Sequence, residues 1–90
     1  MNEVNPVQIG NSVFVRTVTM YYTGRIVSLS DEWIILEDAA WVFDTGRWSV
    51  ALLAGTLVEV EPYCDPVAVA RAAVVDVTTW RHPLPRDTIR

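Results

Sequence analysis

The amino-acid sequence predicts a mainly β protein, a small and strongly bent barrel of five short strands with one short helical insertion. Segments rich in Val, Ile and Thr recur along the chain and alternate in polarity, as strands with one buried face do. Turn-forming Gly, Pro, Ser and Asp residues separate these segments at short intervals. The chain has 90 residues, of which 51% are hydrophobic, so it has room for one domain and enough apolar side chains for one core.

Three strands are predicted in the first half of the chain, at residues 12–20, 25–29 and 33–37. Gly24 is the expected bend or bulge beside the second strand, because glycine marks such sites within strands. A turn is expected after Leu29, and Asp31 is expected to cap it through bonds to nearby backbone N–H groups. Residues 38–43 are compatible with a longer third strand or with the start of a loop.

The second half of the chain predicts one helix and two further strands. The helix is expected around residues 45–54, with Asp44 and Thr45 as the N-cap and Gly55 as the stop. Residues 56–61 alternate apolar with polar side chains and predict the fourth strand. Residues 67–80 are dense in Val and Thr, which favours one bent or bulged strand over a helix at its start.

These elements define one domain over residues 1–80, for which an SH3-like barrel is the favoured architecture and a small α+β domain the alternative. Residues 81–90 contain two prolines and three arginines and predict an extended tail. We expect this tail to be disordered unless it docks on another surface. Glu59, Glu61 and Asp65 on the acidic surface of a neighbouring subunit are the candidate partners for its arginines.

The composition argues against several functional classes. Seven arginines, no lysine and eleven acidic residues give a net charge of −4, whereas nucleic-acid-binding proteins usually carry a basic surface. No apolar run approaches the length of a membrane span and no secretory signal opens the chain, so a cytoplasmic protein without a membrane partner is expected. One cysteine, Cys64, and one histidine, His82, assemble neither a metal site nor a catalytic triad. We therefore expect no enzyme activity, no metal and no cofactor.

Residues 24–39 resemble the first motif of the Sm-like proteins, in which a glycine precedes alternating apolar residues, a turn aspartate and an apolar strand. The segment Asp-Glu-Trp-Ile-Ile-Leu, residues 31–36, is most similar to the bacterial Hfq branch of that family. Residues 69–77, in which Arg71 precedes an apolar run, resemble the second Sm motif more weakly. Residues 39–56 have no counterpart in a minimal Sm barrel and would be an insertion.

The Sm-like resemblance implies a ring of six or seven subunits, in which the fourth strand of one subunit pairs with the fifth strand of its neighbour. By position, the pairing segments here are residues 56–61 and 67–77. The side chains expected at the subunit interface are Leu57, Val58, Val60, Val69, Val75 and Val77. The family's ligand is single-stranded RNA rich in uridine or adenosine, stacked on aromatic side chains around the pore.

Six residues are candidate contacts for RNA or for a partner protein, namely Arg16, Tyr21, Tyr22, Arg25, Trp33 and Arg71. Trp33 lies at the position of the family's base-stacking aromatic, although a structural role, closing the barrel or lying in a subunit interface, is favoured over stacking. Arg71 lies at the basic position of the second motif, and Ala72 stands where the family has a histidine. Aromatic and arginine residues suit RNA and protein interfaces alike, and the negative net charge favours protein.

Trp41, Phe43 and Trp48 lie in the predicted insertion, as a lid over the barrel or as a docking surface for a second protein. We therefore expect a non-enzymatic barrel that assembles with copies of itself into a ring and acts as a structural or adaptor module. The alternative is an Hfq-like ring that binds single-stranded RNA. Arginines that converge on one rim favour RNA, whereas arginines neutralised by carboxylates argue against it.

Overall fold

The computed structural model describes residues 4–90, and these residues form one antiparallel sheet of six strands that does not close on itself. A short α-helix and a 3₁₀ turn interrupt the strands. In chain order the elements are β1 (Ser12–Thr17), β2 (Tyr21–Leu29), β3 (Trp33–Asp44), α1 (Trp48–Ala54), β4 (Glu59–Pro62), β5 (Val67–Ala70), the 3₁₀ turn Arg71–Ala73 and β6 (Val74–Thr79). The mainly β prediction is confirmed, with six strands in place of the expected five.

Strand β3 is the longest element and organises the sheet. Residues 38–43 extend this strand, which settles the alternative that the sequence left open. The first part of β3 pairs with β5 and the last part pairs with β4, while β2 pairs along both parts. Strand β1 lies between β2 and β6, so the sheet runs in the order β4-β3-β2-β1-β6 with β5 beside the first part of β3.

The connection from β5 to β6 shows that the sheet curls strongly. Only the 3₁₀ turn separates Ala70, at the end of β5, from Val74, at the start of β6. This link spans at most about 14 Å. In a flat sheet, β3, β2 and β1 would separate β5 from β6 by about 19 Å or more. The intervening strands must therefore bend, which brings the two outer strands toward each other.

Gly24 lies opposite a bulge in the neighbouring strand. The pairing of β2 with β3 shifts register between Thr23 and Arg25, where the single residue Gly24 faces two residues of β3, Asp38 and Ala39. The irregularity predicted beside Gly24 is therefore present, but the extra residue belongs to β3. A Cβ atom at Gly24 would lie 2.9 Å from the Cβ of Leu36 and 3.3 Å from the Cβ of Ala39. The facing strand occupies the space that any side chain would need, so this position requires glycine.

Both faces of the sheet are covered, which explains the strong apolar content. Alternate residues of β1 point to opposite sides, so that Val13 and Val15 enter one core cluster and Phe14 enters the other. The curled side of the sheet encloses the first cluster, whose buried members are Val13, Val15, Ile26, Ile34, Leu36, Ala39 and Val69. The insertion and the tail cover the second cluster, whose buried members are Phe14, Ala40, Val42, Ala51, Leu57, Val60 and Trp80.

Three local predictions need correction. The helix begins at Trp48 rather than near residue 45, and its N-cap Arg47 forms no side-chain cap bond; Asp44 instead accepts a bond of 2.8 Å from the backbone N–H of Gly46. The turn before β3 is capped by Ser30 rather than by Asp31. The Ser30 hydroxyl oxygen accepts hydrogen bonds from the backbone N–H groups of Glu32 and Trp33. The long run at 67–80 is two strands separated by a 3₁₀ turn, not one bent strand.

The C-terminal tail docks along the sheet instead of extending into solvent. Trp80 is buried, and His82 Nε2 lies 2.8 Å from the carbonyl oxygen of Leu52 in α1. Ile89 forms an isolated antiparallel bridge with Val60, with backbone bonds of 2.8 and 2.9 Å. The tail therefore joins the helix to the outer edge of β4. No helix within residues 4–90 has the length and apolarity that a membrane span requires.

Candidate interaction surfaces

Arg16 is neutralised by Asp76, which faces it across β1 and β6. The two residues are Cα partners, and Arg16 Nε donates bonds of 2.9 and 3.1 Å to the Asp76 carboxylate while an Nη group donates a third. The bonds from Arg16 hold the pKa of Asp76 below its ordinary value of 3.8. Both side chains lie at the surface, so the pair fixes the register of two strands more than it stabilises the fold.

Arg25 is neutralised in the same way, on the other side of β2. Its guanidinium donates a bond of 2.6 Å to Asp38 and one of 3.2 Å to Glu37. Arg86 of the tail approaches the second Asp38 oxygen at 3.9 Å and donates a bond of 3.3 Å to the Ala39 carbonyl. The bond from Arg25 lowers the pKa of Asp38 below 3.8. Asp38 has a left-handed backbone, with φ of 50°, between these two arginines.

Within its own chain the tail places one arginine on a carboxylate, since Arg86 contacts Asp38. The expected contact of the tail with Glu59, Glu61 or Asp65 of a neighbouring subunit stays a prediction. Within residues 4–90, no ion pair involves Glu59, Glu61 or Asp65.

Trp33 and Arg71 meet at the tip of the β2–β3 hairpin. Trp33 is the Cα partner of Ala70, which immediately precedes Arg71. Arg71 donates a side-chain bond of 2.8 Å to the Ser30 carbonyl, and its backbone N–H donates to the Glu32 carbonyl at 2.9 Å. No carboxylate within residues 4–90 pairs with the Arg71 guanidinium, and the Trp33 side chain is 45% exposed. These two residues share a surface that Arg16 and Arg25 do not join.

Tyr21 and Tyr22 point to opposite faces of the sheet, as adjacent strand residues must. Tyr21 packs against Phe14 in the second cluster, with ring centroids 5.9 Å apart. Tyr22 stacks on Tyr63 beside the first cluster, with ring centroids 6.3 Å apart. Burial raises the pKa of Tyr63 above 10.0. The aromatic and basic residues that cluster in the sequence around 16–25 therefore do not form one surface.

Trp41 and Phe43 form an aromatic pair at the surface, while Trp48 packs on the core. The ring centroids of Trp41 and Phe43 lie 4.2 Å apart on one face of β3; Trp41 is half-buried and Phe43 is 42% exposed. Trp48 instead meets Phe14 edge-on, with ring centroids 4.8 Å apart, and packs on the second cluster. The choice between a lid and a docking surface stays a prediction for these three residues.

Carboxylates that the sequence did not connect with these aromatics lie beside them. Tyr22, Trp41 and Glu61 are direct cross-strand neighbours on β2, β3 and β4. Phe43 packs its ring on that of Trp41, and Glu59 lies two residues from Glu61 on the same face of β4. β3 bulges at Phe43, so the Cα partner of Glu59 is Asp44. We call Tyr22, Trp41, Phe43, Glu59 and Glu61 the aromatic–acidic strip. Strand register alone brings them together, and the signal available in the sequence was the spacing of Trp41 with Phe43 and of Glu59 with Glu61.

The predicted subunit-interface side chains divide into buried and accessible ones. Leu57, Val60 and Val69 are buried in the core clusters of their own chain. Their contact with a neighbouring subunit stays a prediction. Val77 is half-buried against the first cluster. Val58 and Val75 are exposed, with 48% and 60% of their surface accessible.

The strand edges differ in the same way. The outer edge of β4 is already bridged by Ile89, so the segment 56–61 does not offer a free edge at Val60. Strand β5 pairs only with β3, and β6 pairs only with β1, within residues 4–90. Each of these two strands therefore has one unpaired edge.

A shallow cavity of about 210 Å³ lies below the end of β4. Its lining residues are Glu37, Asp38, Tyr63, Cys64, Asp65, Pro66 and Arg86. The described residues contain no group of His, Cys, Asp and Glu side chains suited to hold a metal ion. Cys64 is exposed. His82 lies against α1, where its Nε2 contacts the Leu52 carbonyl.

Comparisons of this chain with protein-family models, with curated proteins and with solved structures find no match. The Sm-like resemblance of residues 24–39 and 69–77 stays a prediction from the residues.

Proposed function

We propose that this chain is a non-enzymatic structural or adaptor module that assembles with copies of itself into a closed ring. The free edges of β5 and β6 carry this proposal. An unpaired strand edge presents N–H and C=O groups that pair readily with another chain. Pairing β5 of one copy with β6 of the next is a head-to-tail contact. Repeated contacts of this kind form a closed ring when the rotation that relates neighbouring copies brings the last copy back to the first.

The curl of the sheet supports an SH3-like or Sm-like barrel as the fold of each subunit. The short link between Ala70 and Val74 places the free edges of β5 and β6 at the two ends of one curved sheet. A subunit of this shape has two edges available at once, as each member of a ring needs. Exposed Val75 on β6 adds an apolar side chain to the backbone pairing.

The placement of the arginines favours a protein interface over RNA. Arg16 and Arg25 already donate to carboxylates of the same chain, and only Arg71 keeps a guanidinium without a carboxylate partner among the three candidates. Neutralised arginines contribute little of the electrostatic attraction on which binding to phosphates depends.

The mass of the protein in solution tests this proposal directly. Light scattering after size exclusion should give six or seven times the chain mass of 10.1 kDa. Val75→Glu places a charge at the β6 edge and should reduce the mass to that of a monomer. Val18→Glu makes the same change at a residue that is 77% exposed in the β1–β2 turn, and it should leave the assembly intact. A monomeric wild-type protein would contradict the proposal.

A ring that binds single-stranded RNA is the second candidate. The position of exposed Trp33 opposite Ala70, next to Arg71 in the chain, supports it. Stacking of a base on an aromatic side chain is worth about 1–3 kcal/mol. Salt-sensitive binding of oligo-U or oligo-A that is lost in Trp33→Ala would establish this function. An absence of binding at low salt would exclude it.

A further inference from the structure

We infer that the aromatic–acidic strip is a docking surface for an arginine-rich, extended segment of a partner protein. The strip lies on β2, β3 and β4, away from the free edges of β5 and β6. This inference does not depend on the proposed assembly, and each can fail without the other.

The geometry of the strip suits a guanidinium group. Tyr22, Trp41 and Glu61 are direct cross-strand neighbours, and residues in that relation have Cβ atoms about 4.5–5.5 Å apart. A planar cation over Trp41 is therefore within reach of a carboxylate on the adjoining strand. Arginine stacks on aromatic rings and binds carboxylates with a fork of N–H donors, whereas lysine offers a compact charge that is held more strongly by water.

A second aromatic ring and a second carboxylate lie further along the strands. Phe43 packs edge-on against Trp41 and keeps 42% of its surface exposed, and Glu59 lies on the same face as Glu61. Because β3 bulges at Phe43, the Cα partner of Glu59 is Asp44 rather than Phe43. A second arginine, two positions along an extended peptide, is therefore within reach of Glu59.

Charge complementarity identifies the partner as cationic. Within residues 4–90, neither Glu59 nor Glu61 forms an ion pair, in contrast to Glu37, Asp38 and Asp76. Asp44 adds a third acidic residue at the end of β3. Arg90 follows Ile89 at the edge of β4, across from Glu59 by the register of the bridge, and forms no ion pair with it. The carboxylates of the strip thus remain available to a cation.

The chain already shows how arginine satisfies its own acidic sites. Arg25 and Arg86 converge on Asp38, and both come from segments distant from it in the sequence. The strip offers the same acidic groups with aromatic rings beside them and without an arginine bound. A cation is attracted to the face of an aromatic ring, and the carboxylates beside the rings add to this attraction, so the strip suits a reversible interaction with arginine.

The test uses the full chain and a fluorescein-labelled peptide in which arginine alternates with glycine and serine. Binding is measured by fluorescence anisotropy at low and at high salt. A matched peptide with citrulline in place of arginine keeps the shape and hydrogen bonds but removes the charge. We expect saturable binding of the arginine peptide that weakens with salt and no binding of the citrulline peptide.

Two double variants with the same change of charge locate the site. Glu59→Gln with Glu61→Gln should weaken binding about tenfold, which corresponds to about 1.4 kcal/mol. Asp31→Asn with Glu32→Gln removes the same charge at the exposed β2–β3 hairpin and should change the affinity less than about twofold. Equal losses in both variants would show attraction by net charge only, and would overturn the inference.

Nuclear magnetic resonance of the wild-type protein locates the site without relying on a variant that must fold. In the wild-type protein, the indole N–H signal of Trp41 should shift as the arginine peptide is added, while that of buried Trp80 should not. Phe43→Ser, at an exposed position, should weaken binding about threefold without changing the mass of the assembly. A shift at Trp33 instead of Trp41, or no binding at low salt, would contradict the inference.

Discussion

Single residues in this protein are constrained by their partners more than by their type. Thr17 and Thr23 are both buried, yet their hydroxyl groups have opposite surroundings. The Thr17 hydroxyl donates to the Met20 carbonyl at 2.7 Å and accepts from the Met20 N–H at 2.9 Å. The Thr23 hydroxyl has no hydrogen-bond partner within residues 4–90.

This contrast predicts opposite effects of one substitution. Thr23→Val removes a buried polar group without a partner and should raise the free energy of unfolding by about 1 kcal/mol. Thr17→Val leaves the Met20 N–H without its acceptor and should lower the free energy of unfolding by about 1–2 kcal/mol. Urea denaturation of both variants measures the difference. A loss of stability in Thr23→Val would show that the hydroxyl bonds to a water molecule.

Gly24 shows what the sequence predicts at this scale. An isolated glycine within a strand pattern predicted an irregularity here; the extra residue lies in β3, and glycine is needed because Leu36 and Ala39 approach closely. Asp31 shows the limit of the same reasoning. Aspartate and serine both cap turns, and the residue that does so here is Ser30, because its hydroxyl reaches two backbone N–H groups.

Elements of this fold are held by contacts between distant segments. The docked tail is the clearest case, because Ile89 completes the hydrogen bonds of Val60 on the outer edge of β4. A chain that ends at Pro85 should therefore expose this edge.

Hydrogen exchange measures the contribution of the tail. The Val60 amide should exchange slowly in the full chain and much faster in the chain that ends at Pro85, because its acceptor is the Ile89 carbonyl. The Val58 amide donates to the Asp44 carbonyl and serves as the internal control. Protection of Val60 that survives the truncation would show that another group covers the β4 edge.

The pairing of β1 with β6 predicts a dependence on pH. The bonds from Arg16 lower the pKa of folded Asp76 below 3.8, so the stabilisation is present above that value and is lost as the pH falls through the folded pKa. At about pH 6, Asp76→Asn should therefore melt at a lower temperature than the wild type. Between that pH and about pH 3, the melting temperature of Asp76→Asn should fall less than that of the wild type. Asp31→Asn, outside any ion pair in residues 4–90, is the control. Equal declines in wild type and Asp76→Asn would contradict this role.

The whole molecule couples its own stability to the proposed assembly. If copies pair through the β5 and β6 edges, the folded state is favoured by mass action, and the melting temperature should rise with protein concentration. Val75→Glu should abolish this dependence, and Val18→Glu should retain it. A melting temperature that is independent of concentration in the wild type would argue against association of the folded chain.

At this scale the strands were predicted better than their arrangement. The alternation of polarity placed the first part of β1, the second half of β2 and the start of β3, and the density of Val and Thr correctly favoured strands over a helix near residue 70. It missed the turn at residues 18–20, which ends β1 at Thr17 and lets β2 begin at Tyr21. The two strands within residues 67–80 were not separated, because the Ala-rich 3₁₀ turn has the same apolar character as the strands it joins. The buried positions of Leu57, Val60 and Val69 were also missed, since they depend on which segment covers each face.

The sequence by itself determined the mainly β character, the irregular pairing beside Gly24 and the short helix before Gly55. These features depend on local backbone preferences and on the period of apolar residues, which are properties of short segments. Only the tertiary structure decided that the tail docks on β4, that Arg16 and Arg25 meet carboxylates, and that Glu61 lies beside Trp41. Those contacts join residues far apart in the chain, and strand register, which no local pattern encodes, fixes which of them meet.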